Sequence, residues 1–294
     1  MTRALTALVM LAATSTAEAD ERFEVGGAQI HLVFEGGDEG FRELAREWVR
    51  SAAGAVADYY DGFPVPEVRV EVVARMGSGV GFGQAFAGRR LRVRVGRRSE
   101  RSDFEEDWVL VHEMLHLGYP MLDRRHRWMR EGLSTYVEPI VRARAGLATE
   151  RGVWRRLTSR MHHGLPRPGD EGLDRTPTWG RTYWGGALYW LLADVRIRRE
   201  TDGRRSLRDA LTAIARAGGT ARVRWPIERG LAIGDRATGT DVLVSLYRAM
   251  ARAPYPVDLD ELFERLGVTD PAHLNDDAPL AGLRRAITRR RESD

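Results

Sequence analysis

The spacing of apolar residues changes from a period of two to a helical period along the chain. Short runs that alternate apolar and polar residues predict strands in the first hundred residues, at residues 23–25, 29–34, 68–72 and 91–95. Residues 41–60 carry apolar side chains at helical spacing and predict an amphipathic helix. Beyond residue 100 the helical period prevails, most clearly at residues 128–145, 178–200, 207–217, 241–253, 260–266 and 279–290. The pattern predicts an α+β fold, with a mixed α/β N-terminal lobe built on a small sheet and an all-helical C-terminal lobe.

The first residues differ in character from the rest. A basic Arg3 precedes an apolar run at residues 4–13, and Ala17-Glu18-Ala19 fits the small-x-small pattern of a cleavage site. This order is typical of a secretory signal peptide that is cut after Ala19, and an ordinary N-terminal helix is the alternative. We therefore expect a secreted or periplasmic protein with three segments: a signal peptide at residues 1–19, an α/β lobe at residues 20–118 and a helical lobe at residues 119–294.

Composition narrows the range of functions. The 46 basic residues are all arginine, and 42 acidic residues interleave with them, so the formal net charge is only +4. Nucleic-acid binding requires basic residues clustered on one face, and the one basic block, residues 289–291, stands near the end of the chain. We expect no nucleic-acid partner. The absence of cysteine excludes disulfides and thiolate zinc sites. No run after the signal segment is apolar and long enough to span a bilayer.

A nearly all-apolar stretch at residues 107–118 contains the sequence H-E-x-x-H, formed by His112, Glu113 and His116. Ser102 or Asp103 is placed to cap a helix through this stretch. Positions i and i+4 share one face of a helix, so both imidazoles can reach one metal ion while Glu113 lies beside a water bound to it. Two satisfied core histidines with an incidental glutamate are the alternative.

A third ligand decides between these interpretations. A metzincin site would need glycine at position 119 and histidine at position 122, where the chain has Tyr119 and Leu122. Two candidates remain on spacing alone, namely His126, in an arginine-rich stretch, and Glu131, near the start of the next predicted helix. Two histidines and one carboxylate are a known ligand set of catalytic zinc sites, which keep the fourth position for water.

The string Trp128-Met129-Arg130-Glu131-Gly132 resembles the W-x-x-E-G segment of the gluzincins, the zinc peptidases that include thermolysin and the larger aminopeptidases. The resemblance implies that Glu131 is the third zinc ligand, although residues 117–130 form a shorter connection than the aminopeptidases usually have. Thr135 and Glu138 follow on the same face of this helix. They are candidates to hydrogen-bond the outer nitrogens of the ligating histidines, and for Glu138 a place on the protein surface is the alternative.

Two later segments carry a narrower resemblance. Residues 183–194 contain Y-x-x-G-A-L-x-x-L-L-x-D, and residues 201–207 contain T-x-G-x-x-S-L. Both resemble the glycyl aminopeptidase family, a gluzincin branch that often carries a PDZ domain. The resemblance implies that Tyr183 hydrogen-bonds the oxyanion of the tetrahedral intermediate, a role that suits a phenol hydroxyl. No PDZ pattern is visible between residues 231 and 270. We expect Trp179, Trp184 and Trp190 to be packing residues.

The glycine-rich residues 77–83 do not form a dinucleotide-binding loop, because Phe82 stands where the third glycine is required. They predict a flexible turn before a β-hairpin. A strand that precedes an active-site helix can expose an open edge, to which a peptide adds by backbone hydrogen bonds. Gln84, Ala85 and Phe86 are the candidates for that edge.

These residues predict a zinc-dependent metallopeptidase with a thermolysin-like zincin core, which binds one Zn2+ per chain through His112, His116 and Glu131. Glu113 would act as general base on the metal-activated water, and Tyr183 would stabilise the oxyanion. The expected partner is a peptide or protein substrate. The alternatives are a catalytically silent zinc-fold protein with a binding or structural role, and a hydrolase of a non-peptide amide. The sequence leaves endo- versus exopeptidase activity and the oligomeric state open.

Overall fold

The N-terminal part of the chain forms one five-stranded sheet. The structure, a computed structural model, describes residues 19–86, 89–269 and 273–290. The strands are β1 (Ala19–Val25), β2 (Ala28–Glu35), β3 (Glu67–Arg75), β4 (Val80–Phe86) and β5 (Arg90–Gly96). Their order across the sheet is β1-β2-β3-β5-β4. The two outer pairs are antiparallel and the two inner pairs are parallel. Apart from Ala19, with which β1 begins, the predicted signal peptide lies outside the described residues.

Alternation of apolar residues along the three central strands builds one buried face of the sheet. Residues that are neighbours in the strand register, such as Leu32 and Val70, point to the same side. The buried residues on this face are Ile30, Leu32, Phe34, Val68, Val70, Val72, Leu91, Val93 and Val95. The predicted strands are therefore confirmed, and each is longer than its alternating run because paired ends carry polar residues.

Eleven α-helices make up most of the remainder of the described chain: α1 (Glu39–Tyr60), α2 (Arg101–Glu105), α3 (Val109–Leu115), α4 (Arg127–Arg144), α5 (Glu150–Met161), α6 (Gly186–Glu200), α7 (Leu207–Arg216), α8 (Ile227–Thr238), α9 (Val242–Met250), α10 (Leu259–Leu266) and α11 (Ala281–Thr288). After β5, the described residues form no further strand, and Met121 pairs with Arg224 in an isolated β-bridge. The α+β fold with a helical C-terminal part is confirmed. Within the described ranges, no helix is both long enough and apolar enough to cross a bilayer.

The sequence predicts one helix that begins near Ser102 or Asp103 and continues through the H-E-x-x-H residues, and this prediction is wrong. Two short helices, α2 and α3, are separated at residues 106–108 because the Asp107 carboxylate accepts hydrogen bonds from the backbone N–H groups of Val109 (2.8 Å) and Leu110 (3.1 Å). These bonds satisfy the free donors at a new helix start. The cap of α2 is Glu100, whose backbone N–H donates to the Asp103 carboxylate at 2.9 Å.

Helices α5 and α8 were not predicted. In α5 only Val153, Trp154, Leu157 and Met161 are buried among mainly charged and polar residues, so the apolar stripe is narrow. Helix α8 carries internal glycines at positions 230 and 234, which lower its intrinsic helix propensity. In both helices tertiary packing outweighs a weak local signal.

Helices α4 and α6 approach each other at two glycines, and this contact positions the site described below. A Cβ atom added to Gly132 would lie 2.2 Å from the carbonyl carbon of Gly186, and one added to Gly186 would lie 2.1 Å from the Trp128 carbonyl oxygen. Only glycine allows two backbones to come this close. The indole N–H of Trp190 also donates to the Met129 carbonyl at 2.8 Å. The first turns of the two helices are therefore held side by side.

Candidate active site

Helix α3 carries His112, and the 3-10 turn His116–Gly118 that continues it carries His116. Helix α3 contacts both the edge strand β4 and helix α4. The rings of His112 and His116 are buried, and their centroids lie 5.0 Å apart at an angle of 88°. The start of the helix is fixed because Asp107, besides capping it, accepts a hydrogen bond from the indole N–H of Trp48 on α1 at 3.1 Å. A short, buried helical stretch therefore holds both imidazoles on one face, as the i, i+4 spacing predicts.

Glu131, one turn into α4, completes a cluster of three ligand atoms. Its Oε2 lies 3.6 Å from Nε2 of His112 and 3.5 Å from Nε2 of His116. Ligand atoms around tetrahedral zinc, with bonds of about 2.0–2.1 Å, are separated by about 3.4 Å. The spacing and the donor set of two imidazoles and one carboxylate therefore fit a zinc ion.

Protonation states also suit a metal. Burial raises the pKa of Glu131, but hydrogen bonds from the two histidines outweigh it and hold that pKa well below its usual range. Burial lowers the pKa of His116 to about 4, so the ring is neutral at neutral pH. An ionised carboxylate and neutral imidazoles are the forms that ligate metals.

The outer nitrogen of His116 has a partner that the sequence did not single out. Ser134 Oγ, fully buried on α4, lies 3.2 Å from Nδ1 of His116. When the proton is on Nδ1, the Nδ1–H group donates a hydrogen bond to the serine oxygen, and Nε2 keeps its lone pair for the metal. Ser134 is three residues after Glu131, so the helical i, i+3 relation was the signal that pointed to it.

Thr135 and Glu138, the predicted partners of the histidines, differ in their contacts. Thr135 Oγ1 donates to the Glu131 carbonyl at 2.7 Å. Glu138 is not a surface residue, because it is completely buried, and it is ion-paired with Arg156 at 2.6 Å and Arg142 at 3.6 Å. Its Oε1 has no hydrogen-bond partner among the described residues.

Nδ1 of His112 likewise lacks a hydrogen-bond partner among the described residues. Burial raises the pKa of Glu138, and the nearby Arg156 and Arg142 oppose this shift. The outer-nitrogen role of Glu138 stays a prediction.

His126, the other candidate for the third ligand, uses both ring nitrogens elsewhere. Its Nδ1 lies 2.8 Å from Asp174 Oδ1, and its Nε2 accepts a hydrogen bond from Arg125 at 3.1 Å. The ring is buried against Tyr247, with centroids 5.8 Å apart. His126 is a packed core histidine.

Glu113 lies between the histidines and the sheet edge. One carboxylate oxygen of Glu113 and one nitrogen of each histidine all lie within 4.8 Å of one another. Burial raises the pKa of Glu113, and a hydrogen bond from the backbone N–H of Ala85 opposes this shift. A Cβ atom on Gly83 would lie 2.8 Å from Cγ of Glu113, so strand β4 is in contact with this side chain. A carboxyl group of raised pKa is suited to accept and return a proton near neutral pH.

The predicted edge residues Gln84, Ala85 and Phe86 all lie on β4, which is the last strand of the sheet. Gln84 and Ala85 line the cleft in front of the histidines. The Phe86 ring is covered by the guanidinium of Arg90, 4.3 Å from the ring centroid. The glycine-rich turn was predicted to be longer than it is, because β4 already begins at Val80.

Tyr183 faces the cluster from the other side of the cleft. It lies in a single π-helical turn, Arg181–Gly185, that leads into α6. Such turns are frequent at functional sites. The Tyr183 hydroxyl accepts a hydrogen bond from Arg127 at 3.2 Å, and Arg127 also donates to Oε1 of Glu131 at 3.3 Å. Burial raises the pKa of Tyr183, so its hydroxyl keeps a proton that it can donate.

The cleft that joins these groups has a volume of about 910 Å³ and exposed aromatic walls. Phe82, Trp108 and Trp179 line it with 67%, 43% and 57% of their surfaces exposed. The prediction that Trp179 is a packing residue is wrong, because the residue stands at the cleft wall, where its ring centroid lies 6.4 Å from that of Tyr183. Trp184 and Trp190 are buried, as predicted.

Comparison with known proteins relates the fold to zinc peptidases. No protein-family model matches the chain, and no curated protein matches it in sequence. An aminopeptidase N family protein from Idiomarina loihiensis superposes with a TM-score of 0.65 at 14% identity, over 85% of this chain and 49% of that one. An M1 zinc metallopeptidase mutant from Deinococcus radiodurans with a bound Tyr-Ser-Ala substrate gives a TM-score of 0.51 at 15% identity, over 82% and 53%.

A two-domain M1 zinc metallopeptidase mutant bound to L-arginine matches with a TM-score of 0.50 at 16% identity, over 82% of this chain and 54% of that one. The chain thus spans about half the length of the solved structures that it matches. The likeness is one of fold: the chain shares the α+β architecture of these domains, with a zincin-like core.

Proposed function

We propose that this chain is a gluzincin-type zinc metallopeptidase that hydrolyses peptide bonds and binds one Zn2+ per chain. The observation that carries the proposal is the convergence of His112, His116 and Glu131, with ligand atoms of the histidines 3.5–3.6 Å from the carboxylate, beside the carboxyl group of Glu113. The likeness in fold to the M1 peptidases supports it.

A zinc ion held by the three side chains supplies a Lewis acid that acidifies a water molecule and polarises a carbonyl. Glu113 accepts the proton of that water and delivers it to the leaving amine. Its burial supports this role, because a carboxylate of raised pKa is a stronger base towards the proton of that water. The Ala85 backbone N–H orients the carboxylate.

The Tyr183 hydroxyl donates a hydrogen bond to the carbonyl oxygen, on which negative charge develops. Arg127 supports this role by holding the phenol oxygen at 3.2 Å while it is itself fixed to Glu131. Because the tyrosine accepts a hydrogen bond from the arginine, its own proton is free to point into the cleft.

The substrate is a peptide or protein segment that lies along strand β4. Backbone groups on the outer edge of a last strand are available for added pairing. Gln84 and Ala85 support this placement because they line the cleft directly above Glu113. A silent structural zinc site is not favoured, since such a site has no use for a base or for an open cleft. A non-peptide amide hydrolase would use the same groups, and a substrate panel separates the two.

The resemblance to glycyl aminopeptidases supports a relation of the catalytic unit to that family. Two residues of the resembling segments, Asp194 and Leu207, have a structural role. The Asp194 carboxylate accepts hydrogen bonds from the backbone N–H of Leu207 at 3.1 Å and from Arg198 at 2.8 Å. They tie α6, which follows Tyr183, to the start of α7. We further propose export through the predicted signal peptide, which N-terminal sequencing of the mature protein from culture medium or periplasm tests by beginning at Asp20.

The test of the proposed function is Glu113→Gln, compared with Glu106→Gln on the exposed loop before α3. Glu113→Gln is expected to retain zinc, measured by elemental analysis, and to lose peptide hydrolysis by a factor of about 100 or more. Glu106→Gln is expected to behave as the parent does. Hydrolysis at the parent rate by Glu113→Gln contradicts the proposal.

A further inference from the structure

The cleft around the proposed zinc site has an unbalanced charge. Four arginines line it, at positions 127, 130, 156 and 160. The only carboxylates among the described residues that line it are Glu113 and Glu131, which the proposed chemistry already uses. Zn2+ would balance these two carboxylates, so the arginines determine the net charge that a substrate meets.

Two of the four arginines are paired within the site. Arg127 donates to Glu131, and Arg156 is ion-paired with the buried Glu138 at 2.6 Å. The guanidinium of Arg156 also lies 5.0 Å from the ring centroid of Trp108, which fixes it against the cleft wall. Glu138 therefore offsets the charge of Arg156, whereas Glu131 holds Arg127 in place while its own charge is balanced by Zn2+.

The other two have capacity for a ligand. Arg130 donates from Nη2 to the His116 carbonyl at 3.3 Å, and its Nε is buried without a hydrogen-bond partner in the described part of the chain. Arg160 is exposed, and its side chain makes no hydrogen bond or ion pair with any described residue. It follows Arg156 by one helical turn, so both lie on the face of α5 that borders the cleft.

On the premise that the site hydrolyses peptide bonds, we propose that the cleft selects peptide segments that carry a carboxylate near the scissile bond. Planar guanidinium groups bind carboxylates by paired, charge-assisted hydrogen bonds. A positively charged group, including a free amino terminus, is disfavoured because no carboxylate in the lining is left to pair with it. The exposed rings of Trp108 and Trp179 supply apolar surface for the neighbouring side chains. The preferred substrate is therefore an acidic segment cleaved without need of a free amino terminus.

The test uses a peptide set with one common core. Each peptide is acetylated at its amino terminus and amidated at its carboxyl terminus. At one position on either side of the scissile bond, it carries glutamate, glutamine or lysine. The glutamate peptide is expected to be hydrolysed with a kcat/KM about tenfold above the glutamine peptide, as one charge-assisted pair provides, and the lysine peptide below both. A glutamine peptide with a free carboxyl terminus shows whether a terminal carboxylate is recognised as a side-chain carboxylate is. A glutamine peptide with a free amino terminus should be a poorer substrate than its acetylated form.

A charge reversal locates the effect. Arg160→Glu is expected to abolish the preference for glutamate and to improve hydrolysis of the lysine peptide. Arg155→Glu is the matched control, because Arg155 is exposed on the same helix but does not line the cleft, and the change in net charge is the same. Equal rates on the three parent peptides, or the same behaviour of both variants, overturns the inference.

Binding separates this inference from the proposed function. Anisotropy of the labelled peptides is measured with zinc-loaded Glu113→Gln protein, which should bind the glutamate peptide more tightly than the lysine peptide. If the protein hydrolyses the peptides but neither the rates nor the binding show a charge preference, the inference is wrong and the proposed function stands. If the acidic peptide binds preferentially but the parent hydrolyses no peptide, the proposed function is wrong and the charge selection stands.

Discussion

Substitution of Gly132 by alanine tests whether the close approach of α4 and the turn before α6 builds the site. The added methyl carbon would lie 2.2 Å and 2.3 Å from two backbone carbons of Gly186 and 2.7 Å from the Ala187 nitrogen. Ordinary carbon contacts are about 3.5–4.0 Å, so the two elements must separate by about 1 Å. Neither neighbour is a flexible side chain that can move aside.

Two contributions to the free energy of unfolding oppose each other, and the backbone contact determines whether the substitution stabilises or destabilises the fold. Alanine is favoured over glycine in a helix by about 1 kcal/mol, whereas overpacking costs about 1–3 kcal/mol. Because the clash is between backbones, we take the upper end, which leaves a net loss of about 2 kcal/mol. This corresponds to a fall in Tm of about 4–8 °C. Glu131 and Tyr183 belong to the elements that separate, so kcat/KM is expected to fall about 100-fold, as for other 1 Å displacements.

The assay is thermal unfolding by calorimetry together with peptide hydrolysis. Gly282→Ala is the control, because Gly282 is an exposed position of α11 where an added Cβ has no atom within 4 Å. It should keep activity and raise Tm slightly. If Gly132→Ala instead matches this control in stability and activity, the reasoning about the helix contact is refuted.

Two further substitutions test single contacts of the site. Ser134→Ala removes the partner of His116 Nδ1; zinc affinity in competition with a chelator is expected to fall by a factor of about 10–100, and unchanged affinity would show that the serine does not orient the ring. Gly83→Ala places a Cβ 2.8 Å from Cγ of Glu113. It is expected to lower kcat at least about tenfold by displacing the base while zinc content stays at the parent value, and a loss of zinc would show that the strand holds the ligands instead.

Both changes have matched controls in the chain. Ser159→Ala removes a serine hydroxyl from an exposed position of α5 and should leave zinc affinity unchanged. Gly54→Ala adds a Cβ on α1, away from the cleft, at a position where no atom lies within 4 Å of it. Its kcat should remain near that of the parent.

Local pattern predicted the elements whose burial follows a simple period. The strand at residues 68–72 and the helix at residues 128–145 were found because their apolar residues face one core. The break at Asp107 was missed, although its two capping hydrogen bonds are local; the carboxylate that accepts them is held by the indole N–H of Trp48, which lies 59 residues away in sequence. Helix α5 carries too few apolar residues to be recognised without its tertiary contacts.

The site divides in the same way. The spacing of His112, Glu113 and His116 along one helical stretch predicted them as a group. Glu131 was identified by resemblance to a known motif, and it reaches the histidines only because α3 packs against α4. The exposure of Trp179 and the grouping of Arg130 with Arg160 arise from contacts between separate elements. No periodicity in the chain signals them.

Whether three side chains of this chain hold one zinc ion can be measured by a crystallographic anomalous difference map at the zinc edge. We expect one peak per chain, at about 2.0–2.2 Å from Nε2 of His112, Nε2 of His116 and Oε2 of Glu131. A zinc-loaded crystal with no peak at this position, or with its peak on other residues such as His126, would contradict it.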